Sequence, residues 1–183
     1  IYGEAGNDKI EGGLGDDKIS GGDGEDSISA GAGNDSVDGG QGADIIRGGD
    51  GNDTISGGTD YDTIYGDDGD DFIDAGSGGD TVWGGKGNDL ILGGADNDTV
   101  YGEAGNDTIT GDGGNDLLYG GDGRDIIAGG IDNDVIWGDD ATAPTSQTAR
   151  AGTTGTLTAQ NFASMWAGVD VTARNVGSNG LLT

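Results

Sequence analysis

The sequence predicts an all-β fold, a solenoid of short parallel strands, and three observations support that class. A nine-residue pattern, Gly-Gly-x-Gly-x-Asp-x-aliphatic-x, repeats without insertion or deletion over residues 3–137. The last three positions of each unit read x-aliphatic-x, the alternation of a short strand that buries one side chain. Glycine supplies 44 of the 183 residues at a period of nine, which indicates stacked repeats and excludes collagen.

The fifteen units agree most closely at the positions that set the backbone and the core. With Gly48 as position 1, position 6 is Asp and position 8 is aliphatic in every unit. Position 1 is Gly in thirteen units and Ala in two, and position 4 is Gly in twelve and Asp in three. Glycine permits the positive φ of a tight reversal, and Asp tolerates it better than most residues. We therefore expect a left-handed backbone at position 4, including Asp60, Asp96 and Asp132.

Two consecutive units are needed to build one coil of the solenoid. A strand at positions 7–9 cannot bury its aliphatic side chain alone, but two such strands placed back to back can. Positions 1–6 then form the turns, and two nine-residue units make a coil of 18 residues. Stacked coils place unit n beside unit n+2, so the Asp residues of alternate units form a row along each edge.

The nonapeptide resembles the calcium-binding repeat of the RTX, or haemolysin-type, family. The resemblance rests on the motif Gly48-Gly49-Asp50-Gly51-Asn52-Asp53-Thr54-Ile55-Ser56 and its variants, and it covers residues 3–137. It implies a right-handed parallel β-roll, a β-solenoid of 18-residue coils. It also implies that calcium ions are bound between adjacent turns on each edge of the roll.

Calcium suits the Asp rows chemically. It is a hard cation that takes about six to eight oxygen ligands, and it removes the repulsion between neighbouring ionised carboxylates. Eight units on one edge and seven on the other give about thirteen positions between turns, whose combined charge of about +26 approaches the net charge of −28. The predicted ligands are Asp8, Asp17, Asp26, Asp35, Asp44, Asp53, Asp62, Asp71, Asp80, Asp89, Asp98, Asp107, Asp116, Asp125 and Asp134.

We expect folding and calcium binding to be a single event. One buried aliphatic side chain per nine residues is a small core compared with the conformational entropy lost on ordering the array. The ion sites must supply the remaining stability. Extracellular calcium modules bind at about 10⁻⁴–10⁻³ M, so such a domain would be unfolded in a low-calcium cytosol and folded outside the cell.

Composition and motif spacing exclude several other classes. The net charge of −28 disfavours nucleic acid and anionic membrane surfaces as partners. The chain has no Cys and no His, which excludes disulfides and disfavours zinc. It has no continuous apolar run long enough to span a membrane.

Three alternative readings of the acidic, Gly-rich motif also fail. An EF-hand needs flanking helices and a Glu at the end of its loop. A dinucleotide fingerprint would need Gly at position 7, which no unit has. A glycosidase needs one distinct carboxylate pair in a cleft, whereas here the pairs recur identically. We therefore predict a structural metal-binding role and no catalytic activity.

The repeat array and the residues after it are predicted to be separate regions. Residues 1–140 form the roll, and Ile1 and Tyr2 fit positions 8 and 9 of an earlier unit, so we expect a piece of a longer array. Residues 141–183 are rich in Ala, Thr, Ser and Gly and are interpreted as a cap or linker, with part of a type I secretion signal as a further interpretation. Thr158 is a candidate N-cap for a helix over residues 159–167.

Position 9 of alternate units carries an aromatic row. Its members, each 18 residues apart, are Tyr65, Trp83, Tyr101, Tyr119 and Trp137. On an 18-residue coil they share the outer face of one sheet. Three interpretations are open: stacking between neighbouring strands, burial under the C-terminal segment through Phe162 and Trp166, and contact with an external protein or polysaccharide.

The resemblance implies a calcium-binding repeat domain of a secreted bacterial protein, extracellular or at the cell surface. Such a domain folds on meeting extracellular calcium and stabilises, or assists secretion of, the protein that contains it. Its partners are calcium ions and neighbouring domains of the same protein. Two alternatives are a calcium-stiffened structural or adhesive module, and an accessory module of a secreted protease, lipase or alginate epimerase.

Overall fold

The computed structural model describes residues 1–138, which form sixteen β-strands and no helix. The strands are β1 (Tyr2–Ala5), β2 (Lys9–Leu14), β3 (Lys18–Asp23), β4 (Ser27–Ala32), β5 (Ser36–Gln41), β6 (Ile45–Asp50), β7 (Thr54–Thr59), β8 (Thr63–Asp68), β9 (Phe72–Ser77), β10 (Thr81–Lys86), β11 (Leu90–Ala95), β12 (Thr99–Ala104), β13 (Thr108–Gly113), β14 (Leu117–Asp122), β15 (Ile126–Ala128) and β16 (Val135–Trp137). The predicted helix after Thr158 lies outside the described residues.

The strands form two parallel sheets in the order that a two-unit coil requires. One eight-stranded sheet contains the odd-numbered strands and the other contains the even-numbered strands, each in simple sequence order. Every pairing is parallel and joins residues 18 apart, as Val82 with Val100 shows. The fold is therefore the predicted parallel β-roll with 18-residue coils. Within residues 1–138, no helix has the length and apolar character needed to cross a bilayer.

The turns between the two sheets lie on two edges. Turns of odd-numbered units, such as residues 6–8, lead from the odd-strand sheet to the even-strand sheet, and turns of even-numbered units lead back. We call the first set the odd edge and the second set the even edge. Each edge stacks the same turn of successive coils.

The strands are longer than the sequence predicted. Thirteen of the described units extend the strand from positions 7–9 through positions 1–3 of the next unit, as β4 does from Ser27 to Ala32. Positions 2 and 3 pair in register with the neighbouring coil, as Gly13 with Gly31 and Leu14 with Ala32 show. Gly-rich positions resemble turns in sequence, but here the adjacent coil supplies the partner strand. Only positions 4–6 remain as the turn.

Each of the two sheets contributes a single layer of side chains to the core. The position 8 side chains point inward from both sheets, and all of them are buried: Ile10, Ile19, Ile28, Val37, Ile46, Ile55, Ile64, Ile73, Val82, Ile91, Val100, Ile109, Leu118, Ile127 and Ile136. Two buried alanines at position 1, Ala30 and Ala75, complete it. The predicted core is confirmed in full.

Positions 2 and 4 both have a left-handed backbone. At position 4, φ is 77° at Asp60, 78° at Asp96 and 73° at Asp132, as the sequence predicted. The left-handed backbone at position 2 was not predicted. The non-glycine residues at this position have positive φ in the same range: Glu4, Asp67, Glu103 and Asp112.

Candidate calcium-binding turns

The position 6 aspartates lie at the end of each turn and point inward beneath it. From Asp26 to Asp134 their residues are only 1–6% exposed, whereas Asp8 and Asp17 in the first coil are half-buried. An ionised carboxylate in such a place needs hydrogen bonds or a cation. The structure therefore brings the predicted ligands together as two buried rows.

One oxygen of each carboxylate has a hydrogen-bond role that the sequence analysis did not foresee. From Asp8 to Asp116, the backbone N–H of each position 6 Asp donates to Oδ1 of the Asp one coil later, at 2.8–3.2 Å. The bond from Asp44 to Asp62, at 2.9 Å, is an example. The 18-residue spacing of the Asp residues was the signal that could have predicted this bond, because an Asp repeated every 18 residues lies beside the Asp of the next coil.

The other oxygen, Oδ2, is buried without a hydrogen-bond partner. This holds at Asp8, Asp17, Asp26, Asp35, Asp44, Asp53, Asp62, Asp71, Asp80, Asp89, Asp98, Asp107, Asp116 and Asp134. A buried carboxylate oxygen without a partner is costly, so it calls for a proton or a cation. Because this unpartnered oxygen recurs in successive turns, we favour a bound cation as a regular part of the fold.

Burial raises the pKa of nine of these carboxyl groups, from Asp44 to Asp116. At Asp71 desolvation raises the pKa from the ordinary 3.8 to about 7, the N–H of Asp53 opposes the shift, and the charges of Asp89 and Asp53 add to it. The pKa is likewise raised to about 7 at Asp62, Asp98 and Asp107, and to about 6 at Asp44, Asp53, Asp80, Asp89 and Asp116. At neutral pH the groups with a pKa of about 7 are only partly ionised, and a nearby positive charge would favour their charged form.

Backbone carbonyl groups supply further oxygen atoms between the turns. None of the hydrogen bonds of the turns ends on a carbonyl group at position 4. A Cβ added at Gly24 would collide with the carbonyl oxygen of Gly6, and one added at Gly22 with that of Glu4. The glycines therefore allow successive turns to approach closely, with their carbonyl oxygens directed into the space between coils.

Position 1 must be small for a related reason. A Cβ added at Gly57 would lie 2.6 Å from Oδ2 of Asp62 and 2.5 Å from the carbonyl oxygen of Ala75. A larger side chain would fill the space in front of the carboxylate. This explains why position 1 is Gly in thirteen of the fifteen units; in the other two, the Cβ of Ala30 and Ala75 is buried in the core.

The donor set fits calcium. Each turn contributes one Asp Oδ2 and nearby carbonyl oxygens, and hard oxygen donors are what calcium prefers. Among residues 1–138, no group of three or more His, Cys, Asp or Glu side chains gathers into a conventional metal cluster. Carbonyl oxygens would therefore have to provide most of the ligands, as they do in many calcium sites.

The aromatic row lies on the outer face of the even-strand sheet. Its neighbouring rings are stacked with centroid distances of 4.7, 5.6, 4.8 and 6.1 Å from Tyr65 to Trp137. Arg47, at the same position one coil earlier, places its guanidinium 4.2 Å from the Tyr65 ring centre. It also bonds to Asp67 at 3.1 Å. The rings do stack, as the first interpretation predicted, so most ring faces are already covered.

These features define a class of protein, a calcium-binding parallel β-roll. A family model described as RTX calcium-binding nonapeptide repeat (4 copies) matches residues 1–28, 11–46, 20–55, 47–82, 74–109, 83–118 and 110–141. The chain belongs to this family, whose repeats are structural modules that bind calcium, so the predicted resemblance is confirmed. No curated protein matched the chain in a sequence search.

Proposed function

We propose that this chain is a calcium-folded, non-catalytic module of a secreted protein. It is unfolded where calcium is scarce, folds in the extracellular medium, and stabilises or assists the secretion of the protein that contains it. The observation that carries this proposal is the row of buried Oδ2 oxygens that have no hydrogen-bond partner. The family, whose members are typically secreted, supports the location.

Coupling between folding and binding follows from the balance of forces. The core provides one aliphatic side chain per unit, while thirteen of the fifteen units also bury a carboxylate, whose charged form desolvation disfavours. Without cations, stacking the coils would bring these charges together in two rows. Bound calcium turns this repulsion between carboxylates into attraction. The free energy of calcium binding therefore contributes to the free energy of folding.

Each edge would hold its ions between successive turns. The position 6 Asp residues supply carboxylate oxygens, and the carbonyl groups of the turns complete the ligand set. Counting adjacent pairs of turns along the two edges gives about thirteen ions at saturation. When bound, calcium supplies the positive charge that the Asp rows lack.

The test is circular dichroism during a calcium titration of the full chain. We expect an unfolded spectrum in excess chelator at about pH 7.5 and a steep transition to β-structure at about 10⁻⁴–10⁻³ M calcium. Magnesium at the same concentration is the control, because it prefers a smaller octahedral site and retains its water. A full β-sheet spectrum in excess chelator would contradict the proposal.

A structural or adhesive module is a second candidate, favoured by apolar side chains on the outer face of the odd-strand sheet. Phe72, Leu90 and Ile126 are 37%, 40% and 59% exposed. Light scattering of the calcium-bound chain tests it, with Leu90→Ser as the comparison. Assembly that Leu90→Ser reduces would favour this candidate, whereas a monomer at all concentrations would count against it.

A further inference from the structure

The two edges of the roll are not held together equally. On the even edge, the backbone N–H at position 5 of each coil donates to the side-chain oxygen at position 5 of the coil before it. The bonds are 2.7–3.2 Å long and form an unbroken row. Its members are Asp16, Asn34, Asn52, Asp70, Asn88, Asn106 and Arg124.

On the odd edge the same row is interrupted. It begins with Glu25 N–H to Asn7 at 3.2 Å and resumes with Asn115 N–H to Asn97 at 2.7 Å. Position 5 of the three coils between them is occupied by residues that provide no amide or carboxylate oxygen: Ala43, Tyr61 and Gly79. They account for three missing bonds, from Tyr61, Gly79 and Asn97. A fourth, from Ala43, is missing because the Glu25 carboxylate accepts from Asn7 at 3.3 Å instead.

Tyr61 lies where the position 5 row is interrupted, but it does not restore the missing hydrogen bond. A Cβ added at Gly79 would lie 3.1 Å from Cε1 of Tyr61, so the ring lies beside the next turn. The residue is nevertheless 70% exposed. An exposed ring gives some contact between these coils but no hydrogen bond to the N–H of Gly79.

A second, independent row of bonds weakens along the odd edge from Gly42 onward. The N–H at position 4 donates to the carbonyl at position 3 of the following coil, and on the even edge these bonds are 2.6–2.9 Å from Gly15 to Gly105. On the odd edge the bonds from Gly42 and Gly78 are 3.2 and 3.1 Å. Between them, Asp60 replaces Gly, and the corresponding bond is not formed. Within residues 1–138 it is also missing farther along the odd edge, at Asp96 and Gly114, so the 42–80 segment is where both rows are weak together.

We propose that the odd-edge turns 42–44, 60–62 and 78–80 are the first to open when calcium is withdrawn. The even-edge turns of the same coils, 51–53, 69–71 and 87–89, keep both rows of hydrogen bonds and open later. The odd-edge segment keeps the bonds between its aspartates, such as Asp44 to Asp62, but it lacks the position 5 row. It therefore depends more on the ions for its closure than the even edge does. Loss of calcium thus starts unfolding at a fixed place on one edge. This proposal rests on the proposed calcium function.

Hydrogen–deuterium exchange of the full chain, read by peptide, tests the order of opening. In calcium concentrations just below saturation, we expect the three odd-edge turns to exchange at least about fivefold faster than the even-edge turns of the same coils. At saturation the difference narrows. Equal exchange on the two edges, or faster exchange on the even edge, would overturn the proposal.

A repaired variant tests the cause. Ala43→Asn/Tyr61→Asn/Gly79→Asn supplies side-chain oxygens for three of the four missing bonds, and Gly79 does not have a left-handed backbone that would strain a side chain. We expect exchange of the odd-edge turns to slow to the even-edge rate and the calcium midpoint to fall. If this triple variant does not fold, Tyr61→Asn alone is measured, because it supplies an acceptor for the N–H of Gly79. Unchanged odd-edge exchange in the repaired protein would overturn the proposal.

The matched control breaks the intact edge. Asn52→Ala and Asn88→Ala remove side-chain acceptors for the N–H groups of Asp70 and Asn106. We expect faster exchange at turns 69–71 and 105–107. The two proposals fail in different ways: an array that folds without calcium contradicts the calcium function, whereas calcium-dependent folding with equal edges contradicts only the order of opening.

Discussion

A single aspartate in this roll has two separable tasks. Oδ1 of Asp71 accepts the N–H of Asp53 at 2.8 Å, while Oδ2 is buried without a hydrogen-bond partner. The first task joins two coils directly, and the second requires a positive charge. The separation allows the metal-binding role to be tested without breaking the hydrogen bond.

The change Asp71→Asn keeps an oxygen acceptor but removes the charge from the second position. We expect a higher calcium midpoint and a loss of about 1–3 kcal/mol in the free energy of unfolding in saturating calcium. Urea denaturation at fixed calcium concentration measures the loss.

The control is the adjacent change, Asp70→Asn. Asp70 is exposed, and its Oδ1 accepts the N–H of Asn88, a role that an amide oxygen can retain. We expect this variant to differ from the parent by less than about 0.5 kcal/mol. If the two variants lost equal stability, general acidity rather than the buried position would be responsible.

At the scale of the strand, stacking of the aromatic row ties the later coils together. Tyr101 has a ring on each side, with centroids 5.6 Å from Trp83 and 4.8 Å from Tyr119. Stacked aromatic pairs stabilise proteins by about 0.5–1.5 kcal/mol each beyond the area that they bury. The row therefore reinforces the backbone pairing of the even-strand sheet.

The change Tyr101→Ser removes both contacts at once. We expect a loss of about 1–3 kcal/mol in saturating calcium, with the calcium midpoint shifted upward. Chemical denaturation followed by tryptophan fluorescence reports it, because Trp83 adjoins the substituted ring. Tyr61→Ser is the control at an exposed tyrosine outside the row, and an equal loss there would show that stacking contributes little.

Most of the strand arrangement could be predicted from sequence, because one strong signal repeats fifteen times. The inward position of Ile64, the pairing of residues 18 apart and the row from Tyr65 to Trp137 all follow from the period. The strand length could not be predicted, because Gly-rich positions 1–3 look like turns until a neighbouring coil provides their partner. The position 5 row of hydrogen bonds could not be predicted either, because the residues at this position differ. Asn52 and Arg124, for example, both take part through the backbone N–H.

At the scale of the whole molecule, acidity and folding are linked through the buried carboxylates. Their pKa in the metal-free roll is raised from 3.8 to about 6 at Asp44 and to about 7 at Asp62. Because the pKa of these groups is higher in the folded roll than in the unfolded chain, their protonation stabilises the metal-free roll. This contribution is complete only below about pH 4 and is lost as the pH rises through about 6–7. At neutral pH the metal-free roll is therefore disfavoured.

This linkage predicts how the calcium midpoint depends on pH. The unfolded chain keeps ordinary carboxyl pKa values, so between about pH 7.5 and 5.5 neither the unfolded chain nor the calcium-bound roll takes up protons. We expect a nearly constant midpoint in that range and a higher one below about pH 4.5. A calcium titration by circular dichroism at several pH values checks this. A midpoint that rises as the pH falls from about 7 to 6 would show that a folded, metal-free roll competes.

Because alternate units face opposite ways, the architecture is sensitive to the parity of repeat number. Deleting one nonapeptide between Tyr65 and Trp83 would send the two rings to opposite sheets, and it would exchange the odd and even edges for everything downstream. Deleting or inserting two would leave each surface in place. The array can therefore change in length by even steps without scrambling its exterior, a constraint set by topology and independent of any single side chain.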